Sequence, residues 1–232
     1  MRWFQPQSAE EFSPESILRI LFVGLVYFLL KSSDLTNWLL YPFNLFVTFL
    51  HEFGHASAGF LSDGKVLGLQ INNDGSGFTT VAGGNRAFVL SGGYIGSAVF
   101  GNILLRLSLF KQHIAERTLY VVALVMLVSS FIWFYSIFAT AFQLMFAFSL
   151  IIIARFTPFD REFLFFMGLS SLAYIIRDFR VGPSSDLAYY EREVGLFSTN
   201  QWMYIWWGIV LFISFINLRL ILLEINSRLR FK

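Results

Sequence analysis

His51-Glu52-Phe53-Gly54-His55 carries two imidazoles four residues apart with a carboxylate between them. On an α-helix, residues i and i+4 share a face, so His51 and His55 can aim ring nitrogens at one ion. Glu52 sits beside that face and can take a proton from a water held there. Two neutral imidazoles, a third protein ligand and an open position for water suit zinc. Zinc brings the pKa of a bound water to about 7, which makes hydroxide available at neutral pH. The pattern therefore points to metal-assisted hydrolysis.

The surroundings add weight to the five residues. Two of the three histidines of the chain lie in the motif. Between residues 35 and 61, Glu52 is the one side chain expected to ionise fully at pH 7. A carboxylate at membrane depth costs at least about 2.5–3.5 kcal/mol on insertion scales, so it marks a functional site by default. Asn44, Thr48, His51 and His55 follow steps of four, three and four, which makes one polar stripe on an apolar helix. That stripe must face protein or a water-filled cavity rather than lipid. A structural hydrogen-bonded network between helices is the competing account of the same residues. It needs no particular spacing, whereas these residues have that of a metal hydrolase.

The elements that position the motif follow from composition. The 232 residues are 56% hydrophobic and only 14% charged, with no cysteine and mean hydropathy +0.63. Soluble domains run about 25% charged, and a soluble monomer of this size could not hide so much apolar surface. Thiolate chemistry is excluded, and a net charge of +2 offers nothing to nucleic acid. After a polar N-terminal segment, 1–15, the apolar segments are 16–30, 37–61, 87–110, 118–135, 137–154, 163–176 and 201–225. Segments 16–30 and 163–176 are short for a span, which needs about 17–25 residues. The expectation is a single domain over 1–232, an all-α polytopic, multi-pass integral membrane protein with about six or seven transmembrane helices.

Two stretches between spans are not lipid-like. Leu67, Leu69 and Ile71 alternate before Asn73-Asp74-Gly75, and Phe78 and Thr80 alternate after it. This predicts a small β-hairpin between spans two and three. An open sheet edge near the metal could hold a peptide extended by strand addition. Further on, Gly182-Pro183 and Ser184-Ser185 precede a polar helix near 186–194, stopped by Gly195. Gly92, Gly96, Ser97 and Gly101 form small-x-x-x-small patterns that let helices approach closely. Asn85 and Asn102 could donate to an oxyanion in a substrate-binding role. Trp202, Trp206 and Trp207 with Tyr204 read as an aromatic belt at the start of the last span.

The third ligand stays open on chemistry alone. His113 lies in a charged connection, so a carboxylate is expected: Asp160, Asp178, Asp186 or Glu191. Asp160 and Asp178 are flanked by arginines. Asp186, in the first turn of a short helix, is also explained by the helix dipole.

A transmembrane His51-Glu52-Phe53-Gly54-His55 resembles the site-2 protease family of intramembrane zinc metallopeptidases. The resemblance extends over residues 64–77, Gly83-Gly84-Asn85 and Ser91-Gly92-Gly93-Tyr94-Ile95-Gly96-Ser97, which are similar to a compact branch of that family. In that branch a Ser-Asp pair precedes a short helix and a Trp-rich last span, like Ser185-Asp186 and Trp202, Trp206 and Trp207 here. The resemblance implies His51, His55 and Asp186 as zinc ligands and Glu52 as the catalytic base. It implies a transmembrane or membrane-associated protein as substrate, met within the lipid bilayer. Asp186 lacks the Asn-Pro-Asp-Gly or Leu-Asp-Gly setting of better-known members, and no loop is long enough for a PDZ insertion. The competing class is a non-catalytic membrane scaffold or pseudoprotease that keeps the metal site for stability.

Overall fold

The computed structural model describes residues 14–134, 136–177, 179 and 182–230. The polar N-terminal segment lies outside them up to residue 13, and so does Asp178. Helix α1 (Pro14–Lys31) is followed by a single short turn, α2 (Asp34–Asn37), and a 3-10 turn over Trp38–Leu40. The motif helix α3 runs Tyr41–Leu61. The apolar segment expected from residue 37 is thus broken before it becomes a helix. Pro42 explains the boundary, because proline is favoured in the first turn, where its missing N–H is not needed.

Strands β1 (Lys65–Ile71) and β2 (Gly77–Ala82) form a two-stranded antiparallel sheet between α3 and α4. Leu69 pairs with Thr79 and Ile71 with Gly77, with an irregularity between Val66 and Gly68. The Asn-Asp-Gly tip is the expected turn. Asp74 accepts from the Ser76 N–H, and Gly75 adopts the left-handed φ of 86°. The hairpin lies along α3. The Thr48 hydroxyl donates to the Gly75 carbonyl at 2.7 Å, and the Tyr41 phenol donates to the Asn73 carbonyl at 2.6 Å. Part of the polar stripe is therefore consumed in seating the hairpin.

Helices α4 (Arg86–Ser108), α5 (Gln112–Ile132) and α6 (Ile137–Phe156) follow. The uncharged run from residue 118 to 154 does divide into two helices, and the Ser136 hydroxyl caps α6 by accepting from the Ala139 N–H. Helix α7 (Asp160–Arg177), the short α8 (Asp186–Val194) and α9 (Thr199–Arg230) complete the chain. Helix α8 has the limits its sequence predicts: Ser185 caps its start and Gly195 ends it at φ 68°.

Four of these helices are long and apolar enough to cross a membrane: α4, α5, α6 and α9 over Thr199–Leu223. Helices α1, α3 and α7 interrupt their apolar runs, α1 with Arg19, α3 with the histidine motif, and α7 with Asp160, Arg161 and Glu162. Length and apolarity alone therefore account for four of the six or seven spans expected.

Helix α4 is central, packed against α3, α7, α8 and α9. Its small residues explain why. A Cβ at position 54 would lie 2.2 Å from the Gly92 carbonyl oxygen, and one at position 92 would lie 2.7 Å from the Gly54 oxygen. On the opposite side, a Cβ on Gly168 of α7 would meet the Leu105 nitrogen at 2.7 Å. Backbone approaches backbone at both contacts, as small residues permit between membrane helices. A core built on Phe46, Phe49, Leu69, Leu119, Leu150 and Met167 joins α3, α5, α6, α7 and β1.

Gly168→Ala forces a methyl onto backbone that cannot move aside. A loss of about 1–3 kcal/mol is expected, read as a lower melting temperature of the purified protein in detergent.

Candidate metal centre

Asp186 Oδ2 lies 2.9 Å from Nε2 of His51 and 3.3 Å from Nε2 of His55, and the two Nε2 atoms are 3.1 Å apart. Among the described residues, these three side chains form the group able to hold a metal ion. Ligand atoms about 2.0–2.1 Å from a tetrahedral zinc lie roughly 3.3 Å from one another, close to the separations found. Nitrogen and carboxylate donors of this kind suit zinc. The space they share is also kept clear, since a Cβ on Gly93 would come within 2.5 Å of both Nε2 atoms. Any side chain at position 93 would fill the place at which the donors converge.

Each ligand is oriented by a neighbour. The His55 Nδ1 lies 2.7 Å from the Val89 carbonyl oxygen of α4. A carbonyl only accepts, so Nδ1 carries the proton and Nε2 presents its lone pair to an ion. The rings of Tyr94 and His51 lie edge to face with centroids 4.7 Å apart. Tyr94 in turn stacks on Phe179 at 4.5 Å. Asp186 occupies the first turn of α8, where the helix dipole favours a negative charge. Burial works against that charge, but His55 and then His51 beside it outweigh the effect and hold the carboxyl below the usual carboxylate range. Behind α8, Leu187 packs with Trp206, Tyr94 and Ile175. Trp206 is 1% exposed, so it props the helix that carries Asp186 rather than standing in an aromatic belt. Trp202 also turns inward, packing against Tyr190 at 4.7 Å, while Trp207 and Tyr204 remain exposed.

Glu52 is 4% exposed and lies against the hairpin. The Thr79 hydroxyl is 2.8 Å from Glu52 Oε2 and 2.9 Å from the Glu52 backbone oxygen. A hydroxyl has one proton and spare acceptor capacity. It can donate to the carboxylate, or accept from a protonated Glu52 while donating to the carbonyl. Both protonation states of Glu52 are thus hydrogen-bonded. Gly77 makes room for the acid, since a Cβ there would lie 2.8 Å from Glu52 Oε1. The histidines, Glu52 and Asp186 line a cavity of about 490 Å³, bounded by β2, α4, α7 and the start of α8.

The structure does not bring Asn85 or Asn102 to this cavity. Asn85 caps α4 by accepting from the Phe88 N–H at 2.9 Å. Asn102 is buried lower on α4, donating to Ser214 and accepting from Asn217 of α9. Both serve the helix framework. The other carboxylates considered as ligands are engaged elsewhere: Asp160 accepts from Gln112 at 2.6 Å, and Glu191 from the Thr199 N–H at 2.7 Å. Asp178 lies outside the described residues. Thr79, Gly77, Gly93 and the Val89 carbonyl were given no role at the site by sequence reasoning. The alternation of β2 marks Thr79 as facing the same way as Gly77, but nothing in the sequence says that this side meets Glu52.

A family model described as Peptidase M50B-like matches residues 19–218. No curated protein and no solved structure matches the chain. The matched range takes in all of α3, the hairpin, Asp186 and the tryptophans of α9. The chain belongs to the M50B-like peptidases, the site-2 protease family that its motifs resemble.

Proposed function

We propose that this chain is an intramembrane zinc endopeptidase acting on transmembrane or membrane-associated proteins. The observation that carries the reading is a buried carboxylate, Glu52, in one cavity with a three-residue metal-ligating group. Helices α1, α3 and α7, of 18, 21 and 18 residues, would be the remaining spans, giving seven in all. Enclosing α3 within the other helices shields its polar stripe from lipid.

His51, His55 and Asp186 would hold zinc, which supplies a Lewis acid for the scissile carbonyl and a hydroxide at neutral pH. Glu52 takes the proton of the attacking water and returns it to the leaving amine. Thr79 holds Glu52 in place throughout, because it can reverse its hydrogen bond as the acid gains or loses the proton. The substrate must first be unwound, since in lipid its carbonyls are tied up in a helix. The β2 strand is suited to this. It belongs to a two-stranded sheet, its residues Gly77, Phe78 and Thr79 line the cavity, and its free edge can pair with an extended chain.

The distances of 2.9 and 3.3 Å from Asp186 to the histidines also fit plain ion pairs. A non-catalytic membrane scaffold with these residues as a structural tie is therefore the second reading. Metal analysis and activity separate the two. Glu52→Gln should lose cleavage of a membrane peptide by a factor of about 10² or more while retaining zinc and the fold. Asp186→Ala should lower zinc content to a small fraction of the wild-type value by elemental analysis. Gly93→Ala should do the same with helical circular dichroism preserved, because its methyl occupies the space of the ion. Undiminished zinc in Asp186→Ala would remove Asp186 from the ligand set, and wild-type protein that cleaves no membrane peptide, with zinc or without it, would favour the scaffold.

A further inference from the structure

Ser97 is fully buried on α4, and among the described residues its hydroxyl has no hydrogen-bond partner. Serines within helices commonly donate back to a carbonyl three or four residues earlier. Ser171 does so to Met167, Ser130 to Leu127 and Ser57 to Phe53. Ser97 does not. A buried polar group without a partner is costly, and its usual explanation is a water or ligand that completes it. Other such atoms, Ser170 Oγ and Gln143 Oε1 among them, belong to residues that do not line the cavity around Glu52, whereas Ser97 does.

Its position on α4 gives the hydroxyl a direction. Val89, Gly93 and Ser97 recur every four residues and so share one strip of the helix. Val89 holds His55 by its carbonyl, Gly93 lies against both Nε2 atoms, and Ser97 comes one turn later. The elements on the two sides of α3 then define the space between. Helix α4 meets α3 at Gly54 and Ala58, whereas β2 meets it at Glu52 and Gly59. The cavity is lined from both.

An extended peptide in that cavity has two hydrogen-bonding edges. One edge can pair with β2. The other faces α4, whose backbone groups are already spent within the helix. Only side chains on α4 can satisfy main-chain carbonyls on that edge, and leaving them bare in a site shielded from water is unfavourable. The unpaired donor of Ser97 is what this edge lacks. We infer that the Ser97 hydroxyl binds substrate, donating to a main-chain carbonyl on the edge turned away from β2. The inference rests on the peptidase reading above. It assigns to α4 a recognition of backbone rather than of side chains, so it imposes no sequence preference of its own.

The test compares Ser97→Ala with the parent protein, both zinc-loaded in detergent. The probe is a fluorogenic peptide with an apolar core of about 20 residues. Cleavage is followed in the active protein, and binding by fluorescence anisotropy in the Glu52→Gln background. Ser97→Ala should weaken binding, and raise KM, about tenfold. Zinc content should stay the same, and the melting temperature should stay the same or rise, because an unpaired donor has been removed. A structural serine would behave in the opposite way. Equal affinity, or a lowered melting temperature in Ser97→Ala, overturns the inference and leaves the peptidase reading standing. A parent protein that holds zinc but neither binds nor cleaves the peptide overturns that reading, and the inference with it.

Discussion

The carbonyl oxygen of Gly92 lies where a side chain on residue 54 would begin. This contact between two backbones sets the separation of α3 and α4, and the site depends on it. At a wider spacing the Val89 carbonyl could not reach His55, and the α-carbon of Gly93 would not stand beside the convergent ring nitrogens. Lipid tails are as apolar as leucine, so a close approach of this kind draws on dispersion and fitted surfaces rather than on expulsion of water. The glycines are thus positioned by the same demand that positions the ligands.

The hairpin serves the carboxylate in the same manner. A buried acid needs partners, and a helix cannot supply them from its own backbone. The sheet lies along α3 and meets Glu52 through Thr79 and Gly77. The strand that steadies Glu52 also lines the cavity, and among the described residues it pairs with one strand alone. On the reading proposed above, holding a peptide and holding the base would be tasks of one element, and a disturbance of β2 would affect both.

Much of this was legible in the sequence because it is written in local periods. The histidine spacing is a property of one helix turn. The Asn-Asp-Gly turn and the alternation around it are properties of a dozen residues. Ser185 and Gly195 punctuate α8 without help from elsewhere. What could not be read is the pairing of distant surfaces. Asn85 and Asn102 carry the right chemistry for an oxyanion, but a helix start claims the first and α9 claims the second. Trp206 sits where a membrane belt would be expected, yet α8 needs a large buried side chain behind it. The Gly92–Gly101 stretch announces close packing in its composition. Only the fold reveals that Gly93 leaves space beside both histidine Nε2 atoms and that Ser97 lines a cavity.

Asp186 stands 135 residues after His51. During synthesis, a chain emerging up to α7 carries both imidazoles and Glu52 but not the Asp186 carboxylate that completes the group. The group is therefore incomplete until the last part of the molecule has been made and α8 has docked under Trp206. On the reading proposed above, a truncated or half-inserted chain would lack a metal donor and be inert, which would protect the membrane it is entering from an immature hydrolase.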